Sequence, residues 1–348
     1  MNRVAALTGT VLLTVFVVGC ADDGPGPAET STSPPESEAS TEPATEPASE
    51  PEPLPAGDLP DALTLEEVDG RTIPARPFAD FAVGAGSGVW VSGVRPGMVR
   101  YDGPSGDITA RTPIPGDVVQ ALEETRTDVV VPSLNPSVLF RLDATTGAVR
   151  ARVRLPASPL VEGVVGAVGD TAYVLVEPSA PRIAVVRGDS VVDEIEAPEG
   201  AVAVRADSGS LWVPTSRNTI ERYSLADGTW SSTATGPDPR FFDLGFGAAW
   251  VMNQGDGSVT RVDAASGDAE TIPVTGVPIG GGDLTVGAGA VWLRTDSSVL
   301  RIDPGTRRVT HLIELPPGSG SVAAVPGSLW ITNHDHLAVH RVPLPLPR

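Results

Sequence analysis

Apolar residues in this chain arrive in short bursts set about 40 residues apart, most of them entered through glycines and answered some ten residues later by an arginine, in most copies Arg-x-Asp. Val83-Gly84-Ala85-Gly86-Ser87-Gly88-Val89-Trp90 with Arg100-Tyr101-Asp102 is one copy; Val286-Gly287-Ala288-Gly289-Ala290-Val291-Trp292 with Arg301-Ile302-Asp303 is another. Aligned on the burst, the copies fall at Trp90, Val130, Tyr173, Trp212, Trp250, Trp292 and Trp330, at intervals of 40, 43, 39, 38, 42 and 38 residues. A repeat of that length accommodates four short strands, the size of a β-propeller blade. The burst itself, such as Ala249-Trp250-Val251-Met252, is apolar without alternation. Both faces of such a strand must be covered, as they are when a blade is held between two neighbours.

The segment after each Arg-x-Asp reads as a hairpin. In Asp102-Gly103-Pro104-Ser105-Gly106, Asp143-Ala144-Thr145-Thr146-Gly147 and Asp263-Ala264-Ala265-Ser266-Gly267 the aspartate can cap backbone N–H groups and the glycine can take a positive φ. Arg187-Gly188-Asp189 occupies the same turn in the third unit. The last unit has strands around Ala323, Trp330 and Val339 and lacks a fourth, while Gly70-Arg71-Thr72-Ile73-Pro74 resembles the fourth strand Glu270-Thr271-Ile272-Pro273-Val274. An N-terminal strand that completes the last blade removes two open sheet edges at once. The expected fold is therefore all-β: a seven-bladed β-propeller over residues 62–348, closed by an N-terminal strand.

Ahead of the repeats the pattern changes. Arg3 is the only basic residue of the first twenty, Val4 to Val18 are mostly apolar, and Val17-Val18-Gly19-Cys20 follows. A short charged start and a short apolar stretch describe a secretory signal rather than a spanning helix. The ending resembles the lipobox of bacterial lipoproteins, which implies cleavage after residue 19, lipidation (diacylglycerol, palmitate) of Cys20 and a place on the extracytoplasmic face of the cell membrane. Residues 20–61 form a tether. Ala21 to Pro60 carries ten acidic residues, no basic ones and repeated Glu-Pro units, too little apolar surface to offset the entropy of ordering.

Charge and cysteine content narrow the partners. The chain has 24 basic residues, none of them lysine, against 44 acidic ones, a net charge of −20. Such a surface repels phosphate backbones, so nucleic acid is not an expected partner. Cys20 is the single cysteine, so no intrachain disulfide can form and stability must come from packing.

Units such as Val299-Leu300-Arg301-Ile302-Asp303-Pro304-Gly305-Thr306 resemble those of bacterial propellers that include virginiamycin B lyase and the surface-layer YVTN-repeat proteins. The resemblance covers nearly all of residues 62–348. It implies the propeller fold and, for the lyase branch, metal-assisted opening of a cyclic depsipeptide by a histidine and a glutamate on the central face. Here Leu211-Trp212-Val213-Pro214-Thr215 stands where that family has Leu-Trp-Phe-Thr-Glu.

In a propeller the second-to-third loops of each blade and the blade-to-blade loops gather at one end of the central channel, where groups from every blade can converge on a ligand. The candidate ligand-binding residues on these loops are Asp80, Arg95, Glu177, Arg217, Arg240, Asp256, Arg294, Asp296, His334, Asp335 and His336, with Glu162, Asp238 and Asp283 beside them. Arginines mixed with carboxylates suit a polar or zwitterionic ligand. His334 and His336 are the candidates for a catalytic base or a metal ligand. Neither a nucleophile elbow nor a phosphate loop is present, and no cofactor is called for. The reading is an extracytoplasmic binding or scaffold module for a protein, peptide or glycan, with a lyase or hydrolase as the alternative.

Overall fold

The computed structural model describes residues 57–76, 79–93, 97–116 and 121–347, which contain strands and turns and no helix. The signal segment, Cys20 and most of the acidic tether lie outside them. Seven sheets follow one another along the chain, antiparallel except for one added strand. Blade 1 runs through Ala82–Ala85, Gly88–Ser92, Met98–Asp102 and Ile108–Thr112. Blades 2 to 6 open with the inner strands Glu123–Glu124, Val165–Val168, Arg205–Ala206, Pro239–Gly245 and Asp283–Gly287. Blade 7 takes Val322–Val325, Ser328–Asn333 and Ala338–Pro343 from the end of the chain and Arg71–Pro74 from its beginning. The inner strands touch in cyclic order, and that of blade 7 touches that of blade 1, so the ring is closed.

The apolar bursts become the second strand of every blade. Trp90, Trp212, Trp250, Trp292 and Trp330 are at most 1% exposed, and Val130 and Tyr173 take the same place in blades 2 and 3. A buried indole must still place its N–H. Trp250 donates to Gly245 O at 3.1 Å and Trp292 to Gly287 O at 3.0 Å, while Trp90 reaches across to Ala144 O of the next blade at 2.8 Å. Turn chemistry follows the sequence. Asp143 Oδ1 accepts N–H bonds from Thr145 and Thr146 at 3.1 and 2.7 Å, Asp263 Oδ1 does so from Ala265 and Ser266, and Gly147 and Gly267 have φ of 74° and 79°.

The third-strand arginine, followed by Asp two residues on in blade 1 but not in blades 4 and 7, has a role that the sequence pattern did not reveal: in these blades it clamps one blade to the next. Arg100 Nε donates to Ala144 O at 3.1 Å, Arg222 Nη1 to Ala264 O at 2.6 Å and Arg341 Nε to Gly103 O at 2.6 Å. Each acceptor is the carbonyl just after the turn aspartate of the following blade. Arg341 thereby ties blade 7 to blade 1. In blade 2 the guanidinium is fully engaged at home as well, Arg141 forming a 2.7 Å ion pair with Asp128 in which both side chains are 5% exposed.

Closure is by the expected strand. Arg71, Thr72, Ile73 and Pro74 pair antiparallel with Arg341, His340, Val339 and Ala338. Thr72 Oγ1 lies 3.0 Å from His340 Nδ1 across the same seam. The segment before it does more than the sequence indicated. Ala62–Leu63 adds to blade 6 as a fifth, parallel strand, opposite Leu312 and Ile313. Gly57 N–H already bonds to Val274 O at 3.0 Å, so the ring takes hold of the chain a few residues ahead of the expected boundary.

Candidate functional site

One cavity of about 120 Å³ opens where the blade-to-blade loops meet, lined by Asp80, Glu162, Arg240, Gln254, Gly280 and Ser319 among others. Each sits just before, or at the start of, an inner strand, except Gln254, which follows the second strand of blade 5. Topology thus brings blades 1, 3, 5, 6 and 7 to one mouth, as the loop argument requires. Arg240 is exposed and Glu162 half-buried, and neither forms a hydrogen bond or ion pair with another described residue. Opposite charges that share a cavity without neutralising each other are available to a ligand. Val161 and Val277, 58% and 59% exposed, stand on the same blade-to-blade loops as Glu162 and Gly280.

The other sequence candidates divide by what holds them. Arg95 lies outside the described residues. Glu177, Arg217 and Asp256 are occupied locally: Glu177 Oε1 accepts from Ser179 Oγ at 2.9 Å, Arg217 pairs with Glu199, and Asp256 Oδ1 caps Ser258 N–H at 3.0 Å. Asp296 and Asp335 hold the glycine-rich rim in place, Asp296 Oδ2 accepting Gly280 N–H at 2.9 Å and Asp335 Oδ2 accepting Ser319 N–H at 2.7 Å. They shape the cavity rather than face it. Arg294 does not reach solvent at all: it is fully buried and donates Nη2 to Gly318 O at 2.6 Å. Burial pulls its guanidinium down to about 10, offset by Asp296, Asp283 and Asp335.

The two loop histidines diverge. His334 lies between carboxylates, 3.9 Å from Asp80 and 3.4 Å from Asp335, whereas His336 Nε2 meets the carbonyl of Pro317 at 3.0 Å. Neither lines the mouth cavity. Among the described residues no three His, Cys, Asp or Glu side chains converge as metal ligands.

Phe81 borders the mouth cavity on its inner side, and its ring lies 6.2 Å from that of Phe241. Beyond this apolar pair lies a chamber of about 310 Å³ inside the channel, lined by Glu123, Arg205, Asp243 and Asp283 with inner-strand backbone. Its carboxylates bind neighbouring blades. Asp243 of blade 5 accepts Val286 N–H of blade 6 at 2.7 Å, and Asp283 of blade 6 accepts Ser321 Oγ–H of blade 7 at 2.6 Å. Arg205 of blade 4 reaches Glu123 of blade 2 at 3.3 Å and Val165 O of blade 3 at 2.8 Å. Burial pushes Glu123 up to about 7 and Asp283 up to about 6, with Arg205 pulling against it in both, and raises Asp243 as well. Apart from Asp283, this belt was missed. Its signal in the sequence is a charged residue inside an inner-strand run, as in Phe241-Phe242-Asp243-Leu244.

No protein-family model and no curated protein matches the chain by sequence. Solved structures do match by shape. BamB from Moraxella catarrhalis is 12% identical with a TM-score of 0.55, over 80% of this chain and 98% of that one. The computationally designed Ika8 protein is 9% identical at 0.58, over 76% and 83%, and the β-propeller domain of Cps50 (Swd1) from Myceliophteria thermophila is 12% identical at 0.61, over 79% and 98%. At such identities the likeness is one of fold. The chain is a seven-bladed β-propeller.

Proposed function

We propose that this propeller is a binding module that takes a protein or peptide ligand on its mouth face, and that Cys20 holds it by lipid at the extracytoplasmic side of the cell membrane. The observation that carries the binding role is the pairing of Arg240 and Glu162 in one cavity without an ion pair between them. A peptide offers both charges and apolar side chains for the exposed Val161 and Val277, and propeller mouths gather loops that vary while the blades stay constant. The anchor rests on Val17-Val18-Gly19-Cys20 and on the acidic, proline-rich stretch that follows. The loop histidines are engaged by neighbours rather than lining the cavity, His334 between Asp80 and Asp335 and His336 at the Pro317 carbonyl, which supports binding over turnover.

An array of ten-residue peptides probed with the purified protein tests the binding role. Spots that bind the native protein should weaken by about tenfold or more with an Arg240→Ala/Glu162→Ala variant of unchanged melting temperature. Equal binding by the variant would remove the mouth cavity from the function.

A further inference from the structure

A further cavity, of about 410 Å³, lies in the outer groove between blades 7 and 1. Met98, Val99 and Tyr101 form its floor, each 1% exposed, and Ile108 stands at its side, 43% exposed. Arg76 and Arg111 line it too, both exposed and without a hydrogen-bond or ion-pair partner among the described residues. On a chain of net charge −20, two unpaired arginines over an apolar floor are a local reversal of the surface. The groove is bounded by Ile108–Thr112, the outermost strand of blade 1, which pairs on one side only. An open edge of this kind is a template for a further strand.

The molecule itself shows what such an edge accepts. On blade 6 the corresponding outer strand, Val309–Glu314, is covered by the extended segment Ala62–Leu63. Just before that segment, Asp58 sits in the groove between blades 5 and 6, of about 360 Å³, together with Arg307 and Arg308. An extended stretch laid against a blade edge is thus already part of the fold, and in the groove beside it Arg307 pairs with an acid, Glu270, at 3.0 Å.

We infer that the open edge of blade 1 takes an extended acidic peptide segment of a partner protein, which adds to Ile108–Thr112 as a fifth strand and pairs its carboxylates with Arg76 and Arg111. Main-chain bonds to the edge supply affinity, and the two guanidinium groups with the apolar floor select alternating acidic and apolar side chains. The chain's own N-terminal segment is a poorer occupant. By Arg76 it has already passed along blades 5, 6 and 7, and its first described residue, Gly57, is bonded to Val274 on the far side of blade 6.

The probe is a fluorescent ten-residue peptide alternating glutamate with isoleucine or threonine, titrated by anisotropy against the full-length protein, with the glutamine counterpart as control. At low salt the acidic peptide should bind, and Arg76→Gln with Arg111→Gln should weaken it by about tenfold or more, because two charge-assisted contacts are lost. Both side chains are exposed, so melting should not change. Arg240→Gln, at the mouth, should leave this affinity as it was, which separates the groove from the mouth reading. Undiminished binding by the double variant, equal binding of the glutamine peptide, or loss with Arg240→Gln alone would overturn the assignment. Because the chain contains no lysine, Arg111→Lys introduces its only side-chain amine for carbodiimide coupling, read by mapping the cross-linked peptide. Coupling to the added peptide supports the partner site; coupling to residues 21–56 or to a second copy in its place would overturn it.

Discussion

Glu123 should make the propeller more stable in mild acid than in mild base, against the usual behaviour of a carboxylate. Its side chain lies in the channel with Arg205 Nε at 3.3 Å and with Asp243 and Glu124 as like-charged neighbours. Burial outweighs the arginine and lifts its pKa from 4.5 to about 7. A folded-state value above the unfolded one means that the folded chain binds the proton more tightly. The penalty of the buried charge is therefore present above pH 7 and is relieved as pH falls through about 7 towards 4.5. A displacement of that size corresponds to about 3 kcal/mol at full burial. The side chain keeps 22% of its surface towards the chamber, so water there lowers the effect to about 1–2 kcal/mol. Glu123→Gln retains the shape of the protonated group and removes the titration. Urea unfolding of both proteins at pH 5 and pH 8 separates the effect from titrating groups that do not interact with Glu123. The glutamine protein should be the more stable at pH 8 by about 1–2 kcal/mol, and the gap should close at pH 5. A native protein that gains on the variant as pH rises would show that Arg205 outweighs burial, and would refute the reasoning.

Other consequences are as direct. Arg141→Met leaves the Asp128 carboxylate buried with only the half-exposed Arg150 as counter-charge, and should cost about 3 kcal/mol in urea unfolding, at the low end for a broken buried pair. Deleting residues 62–76 removes the closing strand and the fifth strand of blade 6, and should lower the melting temperature by about 10 °C or more; an unchanged melt would contradict closure. Cys20→Ala should abolish incorporation of labelled palmitate and release the protein from the membrane fraction, whereas labelling that persists would sink the anchor.

The fold was legible because its repeat is written in residues with narrow structural uses. Tryptophans at Trp90 and Trp250 mark strands covered on both faces, and Asp-x-x-x-Gly turns mark hairpins whose glycines need φ near +75°. Closure was legible for the same reason, since Thr72-Ile73-Pro74 copies another fourth strand. The site was legible only in part. Loop position places Asp80, Arg240 and Glu162 around one cavity, but nothing in a loop sequence distinguishes Arg240, which faces that cavity, from Arg217, which is neutralised by Glu199. Arg294 looked like a loop cation and is a buried strand end, because its pairing partner, Asp283, starts the inner strand beneath it. The chamber belt and the arginine clamps depend on which blades are neighbours in space, and a one-dimensional period does not carry that.

The claim that matters most is that ligands meet this protein on its mouth face. Photo-cross-linking in the native host tests it directly, with benzoylphenylalanine placed in turn at Val161, at Val277 and at Phe246. Phe246 is 49% exposed and lies in the first-to-second turn of blade 5, at the other end of the channel, so it controls for non-specific capture by an apolar surface residue. The same discrete adduct should form from Val161 and Val277 and not from Phe246. Adducts from Phe246 alone, or equally from all three positions, would contradict the account.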